Sequence, residues 1–441
     1  MILLKDKFNQ ILAALYFLIL ISFYFLELKP QDKVILYIVN FTLCFIIYTI
    51  IYFHNKNKPT INLSEILLIA VIFRIILLFV NPITSDDYYR YLWDGKVQYA
   101  GIDPYEYTPA ELTSLHDKIL YPSGSYPDII TIYPPLAQIL FFISYTFFGP
   151  YAWGLKIIYI FLETGIIIFL FNTLNILRVN TNHILLYVLS PLIIFEIFIN
   201  AHIDILLIFF LIGSINFALK NKSMLSLAFL GMSVMSKSFS LILLPLFLLY
   251  FYNNNKNLKR SLLNVVCFLI PFSIILPYYQ GFMNIFPVME SYMKDWYFNS
   301  LPFRGILALT KIFGLSDQSY TRIILLLMFL ISYLYVIFLK TDLINKSMFI
   351  VFFYFLFSHT VNPWYLTSLV LFLPAVLSNA IFFWSGIICF TNITLYYYLK
   401  DKVWQDIIPV LIIEYTVLVF LFYYELKKNR VNLISESEVT L

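Results

Sequence analysis

Long apolar runs recur from one end of this chain to the other. Fifteen of them lie near 9–27, 34–53, 61–80, 134–150, 153–173, 183–199, 203–219, 224–236, 238–252, 261–277, 321–339, 347–360, 365–377, 379–399 and 406–425, with a shorter run at 305–314. A helix needs about 20 apolar residues to cross a hydrocarbon core, and a barrel would instead need short alternating strands. The pattern therefore predicts an all-α polytopic membrane protein. Composition agrees: the 441 residues are 61% hydrophobic and 12% charged, against about 25% charged in soluble domains. The net charge of +4 makes no case for a nucleic-acid partner. Cys44, Cys267 and Cys389 each sit inside an apolar run, with neither disulfide nor metal-ligand spacing. The first run lacks a small-residue cleavage site and reads as a retained span.

Lys and Arg in short loops set orientation. They cluster before the first run (Lys5, Lys7), after the second (Lys56, Lys58), and at Lys220, Lys222, Lys256, Lys259, Arg260, Lys340, Lys346, Lys427, Lys428 and Arg430. The 81–133 loop differs, with eight carboxylates against three bases. It is expected outside, as a large extracytoplasmic catalytic loop in one integral membrane domain covering 1–441. Both termini then lie in the cytoplasm, with a short cytoplasmic tail over 426–441. With Arg178 inside, only one of 134–150 and 153–173 spans fully; Pro134 and Pro135 mark the first as irregular. The 305–314 run is too short to span. About 12–14 spans remain. The absence of an internal repeat disfavours an inverted-repeat transporter.

This layout brings unusual polar residues to one side. Ser85–Tyr105 reads SDDYYRYLWDGKVQYAGIDPY, directly after an apolar run. Ionisable groups at membrane depth are functional candidates by default. Asp86, Asp87, Arg90 and Asp94 open the outer loop, and Tyr91, Trp93 and Tyr105 follow. His202 and Asp204 lie in NAHID, Lys237 in MSKS, Arg304 after the 278–303 loop, and His359 and Trp364 in HTVNPWY. Each has a plainer reading: a helix N-cap for Asp86–Asp87, an interfacial belt for the aromatics, a hydrogen-bonded turn for His202 and Asp204, and a snorkelling Lys237. Arg74, Glu163 and Glu196, inside apolar runs, are left without a role.

The arrangement suits transfer of a sugar from a lipid carrier. A carboxylate at the interface can take the acceptor hydroxyl's proton. Lys237 and Arg304 can receive the departing lipid phosphate. Aromatic rings stack on sugar faces. No Walker motif, glycine-rich nucleotide loop or H-E-x-x-H is present. Two other classes stay open: a lipid-linked glycan flippase or transporter, with charges at mid-depth, and a polysaccharide polymerase or ligase, with a large late loop rich in Arg and His.

The run S-D-D-Y-Y-R-Y-L-W-D-G-x-V-Q-x-x-G-I-D-P-Y, then Y-P-P-L at 133–136, S-P-L at 190–192 and N-A-H-I-D at 200–204, resembles the GT-C glycosyltransferases. The branch most like it is the bacterial and archaeal polyprenyl-phosphate-mannose-dependent mannosyltransferases, related to the first mannosyltransferase of GPI-anchor synthesis. The resemblance covers roughly 60–370. It implies a GT-C-type helical bundle with a large first outer loop, in a bacterial or archaeal cytoplasmic membrane. The implied reaction is inverting transfer of a sugar, mannose first among candidates, from a polyprenyl-phosphate donor to a glycan or lipid-linked acceptor. The family's catalytic acid falls at Asp87, with Asp86 as a metal or acceptor contact. Arg90, Tyr91, Trp93, Asp94, Tyr105, His202, Asp204, His359 and Trp364 are then substrate-binding candidates. Ser85 replaces the first acid of the D-x-D form, so no metal ligand is assigned. A divalent cation, Mg or Mn, stays open as a cofactor.

Overall fold

A computed structural model describes residues 6–25, 27–121, 126–315 and 317–438. Residues 122–125 of the outer loop and 439–441 of the expected tail lie outside the described residues. Among those described there is no strand, only a bridge between Phe298 and Thr360. Among the described residues seven helices are long and apolar enough to cross a bilayer: Lys7–Tyr24, Pro30–Asn55, Ala152–Leu177, Leu258–Tyr278, Gln318–Phe338, Asn379–Asp401 and Ile408–Lys427. Thr181–Val188 and Pro191–Ile199 form a further pair bent by 42°. Shorter apolar helices cover Pro135–Phe148, Asp204–Leu219, Ser223–Ser236 and Leu343–Leu356.

Several apolar runs thus give less continuous helix than their length suggests, and the breaks have local causes. In 61–80 the helix is Leu63–Ile75, started by the Asn62 side chain accepting from the Glu65 N–H. Beyond it, the freed carbonyls of Leu77 and Val80 accept from the buried Lys156 ammonium. In 365–377 the chain takes short turns Pro363–Leu366, Thr367–Val370 and Leu373–Val376. Pro374 has no N–H to extend the helix, and Leu377 closes it at φ 55°. The 305–314 run belongs to the 12-residue helix Leu301–Ile312, which buries Phe303 and Leu307 beside Leu325. At the C-terminus the last helix continues to Glu438.

Contacts define two ends of the bundle. At one end Asn182 is a hub: its oxygen accepts from Ile61 N–H at 2.8 Å, and its amide donates to the carbonyls of Asn55 and Lys58. Asn9 and Asn55 exchange reciprocal 2.9 Å bonds there. Lys56, Lys58 and Arg178 adjoin this hub in sequence. Tyr37, on the same helix as Asn55, lies about 27 Å away along the axis, against Glu196 and Asn200. Helix Asp204–Leu219 runs from that far end back toward Lys220, and Ser223–Ser236 returns to Lys237.

Helix Pro135–Phe148 does not follow this traverse. It packs along helix Asp87–Tyr99; Phe141 lies against Tyr91 and Tyr133, and Phe148 against Trp153, which meets Phe79. Both its ends therefore lie at the end that holds Asp87. Deep in the bundle Arg74 and Glu163 pair through two hydrogen bonds: Nε to Oε2 is 2.8 Å and Nη2 to Oε1 2.6 Å. Arg74 is fully buried, its guanidinium 5.2 Å from the Phe198 ring centroid.

Candidate active site

Five separate segments converge at the Asp87 end, joined by direct contacts. Asp87 Oδ2 lies 3.7 Å from His202 Nδ1, linking the outer loop to NAHID. The His202 ring stacks on Trp364 at 4.0 Å and 15°, which brings in HTVNPWY. Asp204 Oδ1 accepts from Lys237 Nζ at 2.6 Å, and that ammonium sits 4.2 Å from the Tyr365 ring centroid. Phe298 N–H donates to the His359 carbonyl, and Asn284 donates to the Tyr105 carbonyl, so the 278–304 segment closes the set.

The backbone around Asp87 is held from below. Asn200 Oδ1 accepts from the N–H groups of Ile83 and Thr84, both at 3.1 Å, and its amide donates to Thr84 Oγ1 at 2.7 Å. Asn200 itself follows a π-helical turn, Ile194–Ile199, a distortion that recurs at functional sites. Ala201 next to it takes φ 61°, and its carbonyl accepts from Tyr159 OH at 3.0 Å. A non-glycine residue in that region carries strain held by its surroundings.

Asp87 begins helix Asp87–Tyr99 and Asp204 begins Asp204–Leu219, where the helix dipole favours negative charge. Their settings differ. Asp204 is 2% exposed and paired to Lys237, whereas the Asp87 side chain is 33% exposed. Partial burial raises the Asp87 carboxyl above its ordinary value; the charges of His202 and Lys237 and the Tyr91 hydroxyl pull the other way, and Asp204 adds to the rise. Asp86 is exposed at the rim, but protein packed on its other sides, and then the Asp87 charge, push its carboxyl up to about 6. Together these set a carboxylate raised above its ordinary value beside a half-buried cation.

Other sequence candidates hold the loop together. Arg90 Nε donates to Asp94 at 2.8 Å and Nη1 to the Ile129 carbonyl; Asp94, 1% exposed, also accepts from Gln138. Tyr91 is buried, stacked on Phe141 at 4.7 Å. Trp93 packs inside the loop against His116 and Tyr121. Tyr105 is fully buried and donates to the Tyr133 carbonyl at 2.5 Å. Arg304 donates twice to Asp406 Oδ2, in a second cluster where Asn299 N–H also meets Asp406. His359 is beside Phe303. Burial, then Arg322, brings its imidazole down to about 4, so the ring is neutral at neutral pH. Direct contacts thus unite Asp87, His202, Asp204, Lys237 and Trp364, and place Arg304 and His359 beside other partners.

Sequence reasoning missed Glu196, Asn200 and Tyr37. Glu196 is 1% exposed; Oε1 accepts from Tyr37 OH at 2.8 Å, Oε2 accepts from Asn200 at 3.1 Å, and Oε2 lies 3.4 Å from His202 Nε2. A carboxylate inside an apolar run must find a partner, and the His six residues on was the available signal. Tyr37 carried none. Among the described residues no group of three or more His, Cys, Asp or Glu side chains is arranged to hold a metal ion.

A family model described as alpha-(1->6)-mannopyranosyltransferase, N-terminal domain, matches residues 20–253. That segment contains Asp86, Asp87, Glu196, His202, Asp204 and Lys237. No curated protein and no solved structure matches the chain significantly.

Proposed function

The chain belongs to the alpha-(1->6)-mannopyranosyltransferase family, and from that premise we propose that it takes mannose from a polyprenyl-phosphate donor. The acceptor is a glycan or lipid-linked glycan. The proposed chemistry is an inverting displacement. The acceptor oxygen attacks the anomeric carbon, its proton passes to the Asp87 carboxylate, and the bond from that carbon to the phosphate oxygen breaks. Polyprenyl phosphate leaves carrying the electron pair. The observation that carries this reading is the partly exposed Asp87 carboxylate gathered with the Lys237 ammonium from separate turns of one bundle end. A lipid donor brings its phosphate to such an interface without leaving the bilayer.

The site is assigned to the extracytoplasmic face. Support comes from the basic residues near the Asn182 hub and from the acidic first loop at the other end. Asp86 then flanks the acceptor at the rim. Arg90, Tyr91, Trp93, Asp94 and Tyr105 shape the loop from behind. Trp364 backs His202, and Arg304 and His359 order the neighbouring segment.

Lys237 is the proposed phosphate contact. Asp204 fixes its position, and its side chain keeps 28% exposure. Lys237→Met retains the apolar stem and removes the charge. Donor KM is expected to rise about tenfold or more, the size of one lost charge-assisted hydrogen bond, with acceptor KM unchanged. Steady-state kinetics with each substrate varied separately measures this. Unchanged donor parameters would leave Lys237 as the structural partner of Asp204 only.

A further inference from the structure

His202 is fully buried, and each face of its ring edge meets a carboxylate: Asp87 Oδ2 at 3.7 Å from Nδ1 and Glu196 Oε2 at 3.4 Å from Nε2. Neither ring nitrogen makes a hydrogen bond among the described residues. A neutral imidazole has one N–H and can serve one side; only the imidazolium donates to both. Trp364, stacked at 4.0 Å, lays its π-face against that ring, a favourable place for a cation. Glu196 is fixed in turn by Tyr37 and Asn200, and the same Asn200 holds the Ile83–Thr84 backbone that leads to Asp87.

We infer that Glu196 and His202 form a buried dyad that holds Asp87 in its reactive pose, with Glu196 as a positioning residue for the base. The inference rests on the proposed function, since it assumes that Asp87 takes the acceptor's proton. The His202 ring bridges the two carboxylates. One N–H fixes Asp87 Oδ2, leaving the other carboxylate oxygen to face the acceptor hydroxyl. The second N–H is held by Glu196, which keeps the ring from turning. Distances of 3.4 and 3.7 Å are long for hydrogen bonds, as is common before substrate draws a site together. The charged groups around the ring are Asp86 and Asp87 from the loop, Glu196 from the π-turn, and Asp204 with Lys237 behind them. This role differs from direct substrate contact, which a fully buried ring is poorly placed to make.

The test is kcat and both KM values in Glu196→Gln, His202→Gln and the double variant, with the full chain in liposomes. Glu196→Gln removes the charge that secures the ring. Its kcat is expected to fall about tenfold while both KM values hold. His202→Gln is expected to show the same kcat-only loss, and the double variant no more than the larger single loss, since each residue acts through the other. Glu196→Gln with wild-type kcat, a loss confined to KM, or fully additive losses in the double variant overturns the dyad. Asp87→Asn separates the two levels. If it is inactive while Glu196→Gln is normal, only the dyad fails; if it is active, the proposed base itself is wrong.

Discussion

Asp87→Asn is expected to lower transfer at least 100-fold, within the range of about 10²–10⁴ for loss of a general base. Asparagine keeps the size and the helix-start position but has no basic oxygen. The loss should fall on kcat, because the donor phosphate is assigned to Lys237 rather than to Asp87. Stability should hold or rise, since partial burial already disfavours the ionised Asp87. The wild-type pH profile carries the same claim. A raised carboxyl takes up its proton at higher pH than an ordinary one, so activity present at neutral pH is lost as pH falls. With the Asp87 carboxyl raised by burial, the acid limb should begin above the ordinary carboxylate range. Full activity in purified Asp87→Asn, or an acid limb at the ordinary carboxylate value, contradicts the assignment.

Arg74→Met is expected to destabilise the fold by about 3–5 kcal/mol, because it leaves Glu163 as an uncompensated buried charge. Both partners are buried, with side-chain exposures of 0% and 3%. Replacing both, as in Arg74→Met with Glu163→Leu, should recover most of the loss, since a buried ion pair and an apolar pair of similar volume are often close in stability. The single change should also reach the site. Arg74 lies over Phe198, in the π-turn that carries Glu196. Thermal unfolding in detergent reads the first effect and kcat the second. A single variant within about 1 kcal/mol of wild type would mean that solvent or lipid headgroups reach Glu163.

The sequence made the class legible and named several residues that the structure brings together. Apolar runs and their bounding charges led to an all-α membrane protein, and SDDYYRYLWDG led to a mannosyltransferase family. Lengths of individual helices were less legible. Apolar runs report burial or lipid, not continuous helix, so the breaks after Ile75 and around Pro374 look the same as their neighbours in hydropathy. Within the candidate site, residues quoted in short motifs, Asp87, His202, Asp204, Lys237 and Trp364, came together because each lies at or within two residues of a helix terminus at the same end. Arg304 looked equally available in sequence. Its partner Asp406 lies 102 positions away, and no local pattern could announce that pairing. Arg74 and Glu163, 89 positions apart, were likewise visible as anomalies but not as a pair. Glu196 was an anomaly of the same kind, and only the π-turn shows that it backs His202.

The most direct measurement is transfer by the purified protein in liposomes, given radiolabelled mannose on polyprenyl phosphate or on a nucleoside diphosphate, with a mannoside acceptor. Label is expected to move from the polyprenyl-phosphate donor alone, with inversion at the anomeric carbon and with loss of transfer in Asp87→Asn. Transfer from the nucleotide sugar with none from the lipid donor would contradict the lipid-donor mechanism.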